Sequence, residues 1–279
     1  MAGMQNEEQK AQDERLKQRM AGIKHKVIVL SGKGGVGKTT VSVNMALALS
    51  QKGYKVGLLD TDIHGPNVPK MLGIEGTRLI GRDDGIEPFQ ADTNMWVVSL
   101  SMAGHGPDTP VIWRGPLKIG VIKQFLADVH WGELDYLIID SPPGTGDEPL
   151  TVLQLIPELE GSVVVTTPQQ VAILDSRKSI NFSRQLNIPV LGVVENMSGL
   201  LCPHCGEEIP VFGKNGGKEA AAEMEVPFLG AIPIDQGLME AEDEGRHYVT
   251  GDAAGPSVEA LRSIVSKVED YVTSKQPSE

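Results

Sequence analysis

"SGKGGVGKTT" spans Ser31 to Thr40 and lies between the apolar run Lys26–Leu30 and a segment with a helical pattern. Its spacing, Gly-x-x-x-x-Gly-Lys-Thr, is that of a loop that binds phosphate groups between a strand and a helix. The glycines let backbone N–H groups converge on phosphate oxygens, and the helix directs its partially positive N-terminus at the same anion. We therefore expect Lys38 to reach the β- and γ-phosphates of a nucleotide and Thr39 to bind Mg²⁺.

Outward from this loop, the chain alternates between apolar β-branched runs and helical patterns. The predicted strands are Lys26–Leu30, Val56–Leu59, Trp96–Leu100, Tyr136–Ile139, Ser162–Thr166, Val190–Val194 and Phe228–Ile232. The predicted helices are Lys38–Lys52, Leu117–Val129, Pro149–Ile156, Ala172–Leu186, Gly217–Glu225 and Pro256–Ser274. Several strands lack polar alternation, which is typical of parallel strands covered on both faces. The predicted fold is α/β, a doubly wound, mostly parallel sheet with helices on both faces.

We expect one P-loop ATPase domain over residues 23–279, preceded by a polar N-terminal tail at 1–22 that is frayed or helical. The main irregular segments are about 61–95, 101–116 and 197–216, and long loops on a compact sheet tend to carry function. Trp113 is interpreted as a packing anchor, and the role of Arg114 is not decided by the sequence.

Carboxylates follow two of the predicted strands. Asp140 ends "YLIID" and Asp60 ends "VGLLD", with Asp62 two residues further on. Ligands of open α/β sheets bind at the carboxyl ends of the strands. We expect Asp60 and Asp140 to join Thr39 at the magnesium site, with Asp140 favoured and acting through water. Asp62 is expected to position the attacking water at the γ-phosphate, and the alternative for Asp62 and Asp140 is a turn or helix cap.

The composition narrows the functional classes. The 25 Lys and Arg residues stand against 37 Asp and Glu, a formal net charge of −12. Nonspecific binding to nucleic acid or to an anionic membrane needs a basic surface, so we expect neither partner. The sequence has no apolar stretch near the roughly 18 residues of a membrane span, and its beginning is polar, without a signal-peptide core. The predicted location is the cytoplasm.

The two cysteines of the chain, Cys202 and Cys205, form a C-x-x-C pair in "CPHCG". Such a knuckle, with Gly206 permitting the turn, binds Zn²⁺ or an iron–sulfur cluster, and each of those sites usually takes four ligands. A two-fold axis through the pair would bring two copies together and supply four thiolates, so a homodimer is expected. A redox dithiol and a structural zinc site are alternatives, and His204 is interpreted as pointing away.

Six blocks of the sequence resemble the Mrp/ApbC family of iron–sulfur carrier ATPases, within the dimeric ATPases that include MinD, ParA and the nitrogenase iron protein. They run in order from residue 31 to 235: "SGKGGVGKTTVSVNMALAL", "LLDTDIHGPNVPKMLG", "VIWRGPLK", "WGELDYLIIDSPPGTGDEPLT", "VVENMSGLLCPHCGEEIPVFGKNGG" and "VPFLGAIPID". The resemblance implies ATP and Mg²⁺ as cofactors and a [4Fe–4S] cluster that bridges the dimer. No cysteine precedes Cys202, so the N-terminal four-cysteine cluster of related eukaryotic scaffolds is not expected.

The resemblance also implies roles for single residues. Lys33 corresponds to the lysine that reaches the nucleotide of the other subunit, and the alternative is a cap of its own loop. Catalysis is thus assigned to Lys33, Lys38 and Asp62, and Gly144 falls in the segment that senses the γ-phosphate. The predicted ATP-binding residues are Gly32, Lys33, Gly34, Gly35, Val36, Gly37, Lys38, Thr39, Thr40, Asn196, Pro233 and Asp235, the last three near the adenine.

The predicted function is a slow ATPase that receives a [4Fe–4S] cluster from a scaffold and transfers it to apo-proteins. Two alternatives are a partitioning ATPase of the MinD/ParA kind and a nucleotide switch bridged by zinc. A MinD-like chain would end in a basic amphipathic helix, whereas residues 254–279 mix acids and bases. Neither partitioning class explains the cysteine pair.

Overall fold

The computed structural model describes residues 2–62, 67–103, 115–202, 204–250 and 254–274. Its strands are β1 Ile23–Ser31, β2 Val56–Asp60, β3 Ile80–Arg82, β4 Gly85–Glu87, β5 Phe89–Asp92, β6 Met95–Ser99, β7 Leu134–Asp140, β8 Gly161–Thr166, β9 Val190–Glu195, β10 Leu200–Leu201, β11 Glu208–Ile209 and β12 Phe228–Ala231. Its α-helices are α1 Ala2–Ala21, α2 Lys38–Gln51, α3 Val68–Met71, α4 Gly115–Asp128, α5 Asp147–Leu155, α6 Gln170–Gln185, α7 Gly216–Glu223, α8 Gln236–Asp243 and α9 Pro256–Ser274. A 3₁₀ turn covers Leu100–Ala103.

Eight strands form the main sheet, in the order β12-β9-β8-β1-β7-β2-β6-β5. All neighbouring pairs are parallel except β5 and β6, which pair antiparallel at one edge. The seven predicted strands are all present in this sheet, within three residues of their predicted ends. The sheet confirms the predicted α/β class.

The side chains of β1 show how the sheet is covered on both faces. Val27 and Val29 pack into one buried cluster, which contains the apolar residues of α2 and α9. Ile28 and Leu30 point the other way, into a second cluster built with α1, α4 and α5. Because successive residues of a strand face opposite sides of the sheet, a continuous apolar run is what two helical layers require.

The N-terminal segment is helical and its second half packs on the domain. Leu16 and Met20 are 5% and 1% exposed and lie in the cluster on the α4 side of the sheet. Arg15 and Asp13 of α1 form ion pairs with Asp128 and Lys123 of α4, at 3.5 Å and 2.6 Å. The polar composition of this segment gave no sign that it has a buried face.

The predicted irregular segments contain short elements. Residues 61–95 include α3, the antiparallel pair β3–β4 and the edge strand β5, and residues 197–216 include the antiparallel pair β10–β11. Elements of two to four residues are too short to show a period in the sequence. The interpretations of Trp113 and Arg114 fall outside the described residues. In the described part of the chain, no helix is both long enough and apolar enough to cross a membrane.

Candidate nucleotide and metal site

The phosphate loop joins the end of β1 to the start of α2, as its motif predicts. Gly35 and Gly37 have φ angles of 78° and 83°, in the left-handed region that glycine adopts without strain. A Cβ atom on Gly32 would lie 2.2 Å from the backbone carbonyl of Asp175 on α6, so only glycine fits there. The loop is therefore held against α6 at its start and turns tightly into α2, which leaves its backbone amides available to an anion.

Asp140 is the centre of the polar contacts behind this loop. Its Oδ2 accepts a 2.8 Å hydrogen bond from Oγ1 of Thr39, and its Oδ1 accepts one of 2.7 Å from Oγ of Ser42. The ammonium of Lys38 lies 2.8 Å from the same Oδ1. The structure thus brings together Thr39, Lys38 and Asp140, the residues predicted for the phosphate and magnesium sites. A hydroxyl and a carboxylate are the oxygen ligands that Mg²⁺ prefers.

Asp60 lies beside Asp140, because the last residues of β2 and β7 are paired in register. Its Oδ2 accepts a hydrogen bond of 2.8 Å from Oγ of Ser99, and its Oδ1 accepts one of 3.0 Å from the backbone N–H of Asp62. Burial raises the pKa of Asp60 to about 8, and the negative charge of Asp140 adds to the shift, whereas the Ser99 hydrogen bond and Lys38 oppose it. Burial and the neighbouring carboxylate therefore both favour the protonated form of Asp60.

The loop that follows β7 contacts the phosphate motif, and the start of the loop that follows β2 is held to the end of β7 by a 3.0 Å hydrogen bond from the N–H of Thr61 to the carbonyl of Asp140. Asp62 is 8% exposed, and its backbone is held by Asp60. The N–H of Gly144 donates a hydrogen bond of 2.8 Å to the carbonyl of Ser31, the first residue of the motif. Gly144 has a φ of 91°, so glycine suits this contact. The segment after β7 is therefore attached directly to the phosphate loop, as a sensor of the γ-phosphate would need to be.

Asn196 contacts the other side of the loop. Its Nδ2 donates a hydrogen bond of 3.0 Å to the carbonyl of Val36, and a Cβ on Gly37 would lie 2.0 Å from that nitrogen. Lys33 is half-buried between these anchored residues and the exposed Gly34 and Gly35. The sequence prediction that Asn196 belongs to the nucleotide site is consistent with this position.

Asp235 caps α8. Its Oδ1 accepts hydrogen bonds from the N–H groups of Gly237 and Leu238, at 2.8 Å and 3.3 Å, and its Oδ2 accepts from Tyr248 at 2.7 Å and from Ser257. Burial acts to raise the pKa of Asp235, but these four hydrogen bonds outweigh it and leave the pKa below its usual value. The carboxylate thus stabilises the start of α8, the helix that follows Pro233. The sequence resemblance assigns Asp235 only to the adenine and does not predict this structural role.

The cysteine pair lies in the turn between β10 and β11. The N–H of Cys202 donates to the carbonyl of Glu207 at 2.9 Å, and the N–H of Gly206 donates back to the carbonyl of Cys202 at 2.8 Å. Gly206 has the left-handed φ, 73°, that the predicted knuckle needs. Cys202 is half-buried and Cys205 is exposed.

The knuckle is suited to holding a thiolate. Hydrogen bonds from the backbone of Cys205 and of His204 lower the pKa of Cys202, and the thiolate is the form that binds metal. No third histidine, cysteine or carboxylate completes a metal-binding group with this pair in the ranges that the structure describes. His204 is exposed. One chain therefore offers two sulfur ligands.

Sequence reasoning missed four polar residues of this region. Ser42 and Ser99 hold Asp140 and Asp60, as described above. Glu242 of α8 accepts hydrogen bonds of 3.1 Å from Thr40 and from Asn44, and its pKa is raised to about 7 by burial, against those two hydrogen bonds. Glu195 is fully buried at the end of β9. Ser42 could have been found from the sequence, because it lies one helical turn after Thr39. Glu242 could not, because its partners are some 200 residues away in sequence.

Comparisons with known proteins identify relatives over most of the chain. The family described as NUBPL iron-transfer P-loop NTPase, of the ParA group, matches residues 22–269. The iron-sulfur cluster carrier protein of Methanocaldococcus jannaschii is 49% identical over 95% of this chain and 91% of its own length. The human cytosolic Fe-S cluster assembly factor NUBP2 is 45% identical over 90% of this chain and 94% of its own length.

Two solved structures share the fold. A nucleotide-binding protein of Archaeoglobus fulgidus, in complex with ADP and with cobalt found in it, has a TM-score of 0.75 at 40% identity and covers 84% of this chain and 92% of its own. The cell division ATPase MinD of Pyrococcus furiosus has a TM-score of 0.64 at 26% identity and covers 88% and 98%. With the phosphate loop, the paired aspartates and the match over residues 22–269, the chain belongs to the NUBPL iron-transfer family of P-loop NTPases.

Proposed function

We propose that this protein is an ATP-hydrolysing carrier that holds a [4Fe–4S] cluster between two copies of the chain and transfers it to apo-proteins. The observation that carries the proposal is the pair of Cys202, half-buried, and Cys205, exposed, in the segment that directly follows Asn196, whose side chain contacts the phosphate loop. Relatives that are 45–49% identical over nine tenths of the chain are named as cluster carriers or assembly factors. We expect this carrier to act in the cytoplasm.

Two copies are proposed because one chain offers two sulfur ligands and the cluster takes four. A two-fold axis beside the knuckle would supply the other two. Exposed apolar side chains flank the pair on the same loop and are suited to burial against a second copy. They are Leu201, Ile209, Val211 and Phe212, each 39–50% exposed.

ATP is proposed to bind at the phosphate loop. Lys38 would turn from Asp140 to the β- and γ-phosphates, and Thr39 with Asp140 would hold the Mg²⁺, which neutralises charge on the phosphates. Lys33 is assigned to the nucleotide of the second copy, where a cation delivered across the interface stabilises the transferring phosphoryl group. Asp62 would orient the attacking water.

Nucleotide and cluster are proposed to affect each other through the dimer. Closure around two ATP molecules would change the separation of the two cysteine pairs, so the affinity for the cluster would depend on the nucleotide. By linkage, ATP affinity would depend equally on the cluster. Hydrolysis would then time the release of cargo, which is consistent with a slow ATPase. The donor would be a cluster scaffold and the recipients apo iron–sulfur proteins.

The partitioning alternative is disfavoured by α9. Its apolar face is buried in the core through residues such as Leu261, Ile264 and Val268, so this helix does not offer that face to a membrane. The zinc-bridged switch uses the same knuckle and differs only in the metal, so experiment decides between them.

Cluster transfer tests the proposal. The protein would be reconstituted anaerobically and mixed with the apo form of a dehydratase that needs a [4Fe–4S] cluster, with Mg-ATP, with Mg-ADP or with neither. We expect the dehydratase to gain activity at a rate that depends on the nucleotide, and Cys202→Ser to give none. A transfer rate that is the same in all three conditions would reject nucleotide control, and transfer by Cys202→Ser would reject the site.

A further inference from the structure

Glu195 is a buried carboxylate to which no role has been assigned. It is the last residue of β9 and its exposure is 0%. A carboxylate in such a position is costly unless hydrogen-bond donors surround it. Three donors do so: two lie in the segment that carries the cysteine pair, and the third directly follows that segment.

These donors lie at the two ends of that segment, which we term the metal loop, residues 197–216. At its beginning, Oγ of Ser198 donates to Oε1 of Glu195 at 2.5 Å. At its end, the N–H of Asn215 donates to Oε1 at 3.1 Å, and the N–H of Gly217, the next residue along, donates to Oε2 at 2.5 Å. One side chain therefore holds together the points where the metal loop leaves the sheet and returns to it.

The fit around this carboxylate is tight. A Cβ on Gly217 would lie 3.1 Å from Oε2 and from Cβ of Glu195. Asn215 has a φ of 62°, so the chain turns sharply as it enters α7 and directs the N–H groups of Asn215 and Gly217 at the carboxylate. The beginning of the loop is also held to the residue after β12, because the N–H of Ser198 donates to the carbonyl of Ile232 at 2.9 Å.

The residue after Glu195, Asn196, contacts the phosphate loop. Asn196 donates to the carbonyl of Val36, as described above, and its backbone N–H donates to Thr166 at 2.8 Å. The dipeptide Glu195–Asn196 thus contacts the phosphate loop with one side chain and both ends of the metal loop with the other. A shift of the phosphate loop that moves Asn196 must also move the backbone of Glu195.

We propose that Glu195 is a positioning residue that couples the nucleotide site to the cysteine pair. This inference rests on the proposed function and specifies its route within one chain. When the phosphate loop changes with the nucleotide, the displacement passes through Asn196 to Glu195 and from there to both ends of the metal loop. Cys202 and Cys205 then move together, because the ends of their loop are held by one carboxylate.

The chemistry of the side chain gives a selective variant. A carboxylate only accepts hydrogen bonds, and both oxygens of Glu195 face donors. Glu195→Gln keeps the size of the side chain but places an NH₂ group against the backbone N–H of Asn215 or that of Gly217, whichever way the amide is turned. The ends of the metal loop are then no longer held to β9 together. The matched control is Glu219→Gln, which makes the same change on the exposed first turn of α7.

The test measures coupling, defined as the ratio of Co²⁺ dissociation constants without and with the imido analogue of ATP and Mg²⁺. Cobalt reports thiolate ligation by its absorption, so the readout does not depend on cluster transfer. We expect wild type and Glu219→Gln to show a ratio that differs from one by about fivefold or more. Glu195→Gln should bring the ratio to within about twofold of one, as the coupling free energy is lost.

Ser198→Ala removes one donor and keeps the carboxylate. It therefore tests the role of Glu195 if Glu195→Gln does not fold. We expect its ratio to fall between those of wild type and one. A wild-type ratio retained in Glu195→Gln, or in Ser198→Ala when that is the only folded variant, would overturn the role of Glu195 and leave the carrier proposal intact. Wild-type protein that binds no Co²⁺ through its cysteines, or whose ratio is one, would overturn the coupling on which the inference rests.

Discussion

The residues around Asp140 explain why two aspartates at neighbouring strand ends do different work. Asp140 is paired with Lys38 and two hydroxyls, which stabilise its charge. Asp60 accepts hydrogen bonds from Ser99 and from the backbone of Asp62, and burial together with the charge of Asp140 raises its pKa to about 8. The sequence predicts both as magnesium residues, whereas their environments favour Asp140 for the ion and Asp60 for its support.

The raised pKa of Asp60 makes stability depend on pH. Between about pH 4 and about pH 8 the unfolded chain has lost this proton and the folded chain retains it, so wild-type stability falls as the pH rises. Asp60→Asn removes this titration. The free energy of unfolding of the variant should therefore rise relative to that of wild type by at most about 1.4 kcal/mol per pH unit over that range. Urea unfolding at several pH values measures this difference, with the exposed Asp83→Asn as control. A difference from wild type that stays constant across the range would contradict the account.

Among the helices, α1 shows how a polar segment joins a core. Among the α1 side chains that the structure describes, Leu16 and Met20 are the buried ones, a pattern too sparse to predict packing from sequence. Met20→Ala should lower the free energy of unfolding by about 2–5 kcal/mol, because a buried side chain leaves a cavity. The exposed Lys17→Ala on the same helix should change it by less than about 0.5 kcal/mol. Denaturant unfolding of both variants measures this; equal stability of the two would mean that α1 does not pack on the domain.

A second prediction concerns Asp235, the residue that caps the start of α8. Asp235→Ala removes four hydrogen bonds at the start of this helix and should destabilise the protein by about 1–3 kcal/mol. Asp243→Ala, at the exposed end of the same helix, should be neutral or slightly stabilising because a carboxylate there opposes the helix dipole. Thermal unfolding distinguishes the two. If Asp235→Ala lowers ATP affinity but not stability, the residue acts on the nucleotide instead of the fold.

For the whole molecule, the assignment of Lys33 to the second copy predicts complementation. Lys33→Ala and Lys38→Ala should each lose most ATPase activity. Mixed together, they form heterodimers in which the intact Lys38 site of one copy receives Lys33 from the other, and random pairing restores up to about a quarter of the wild-type rate. Steady-state ATPase assays of the mixture measure this recovery. No recovery in a mixture shown by native mass to contain heterodimers would place Lys33 in its own site.

How well a contact can be predicted from the sequence depends on how far apart its residues lie along the chain. The phosphate loop, the strand ends at Asp60 and Asp140, and the cysteine turn are local patterns, and the structure contains each of them. The contacts of Glu242 with Thr40 and Asn44 join residues that no local pattern relates. The helix α8 was missed because only Leu238 and Ala241 are buried on it, and β5 because edge strands carry little apolar signal.

The most direct test of the carrier account is the amount of metal per chain after anaerobic reconstitution with iron and sulfide. Iron and sulfide analysis, Mössbauer spectra and native mass would be measured on wild type, Cys202→Ser and Cys205→Ser. The account predicts one four-iron cluster per two chains, in a dimer, lost in both variants. One zinc per dimer with no cluster formed, or a cluster that persists in either variant, would contradict it.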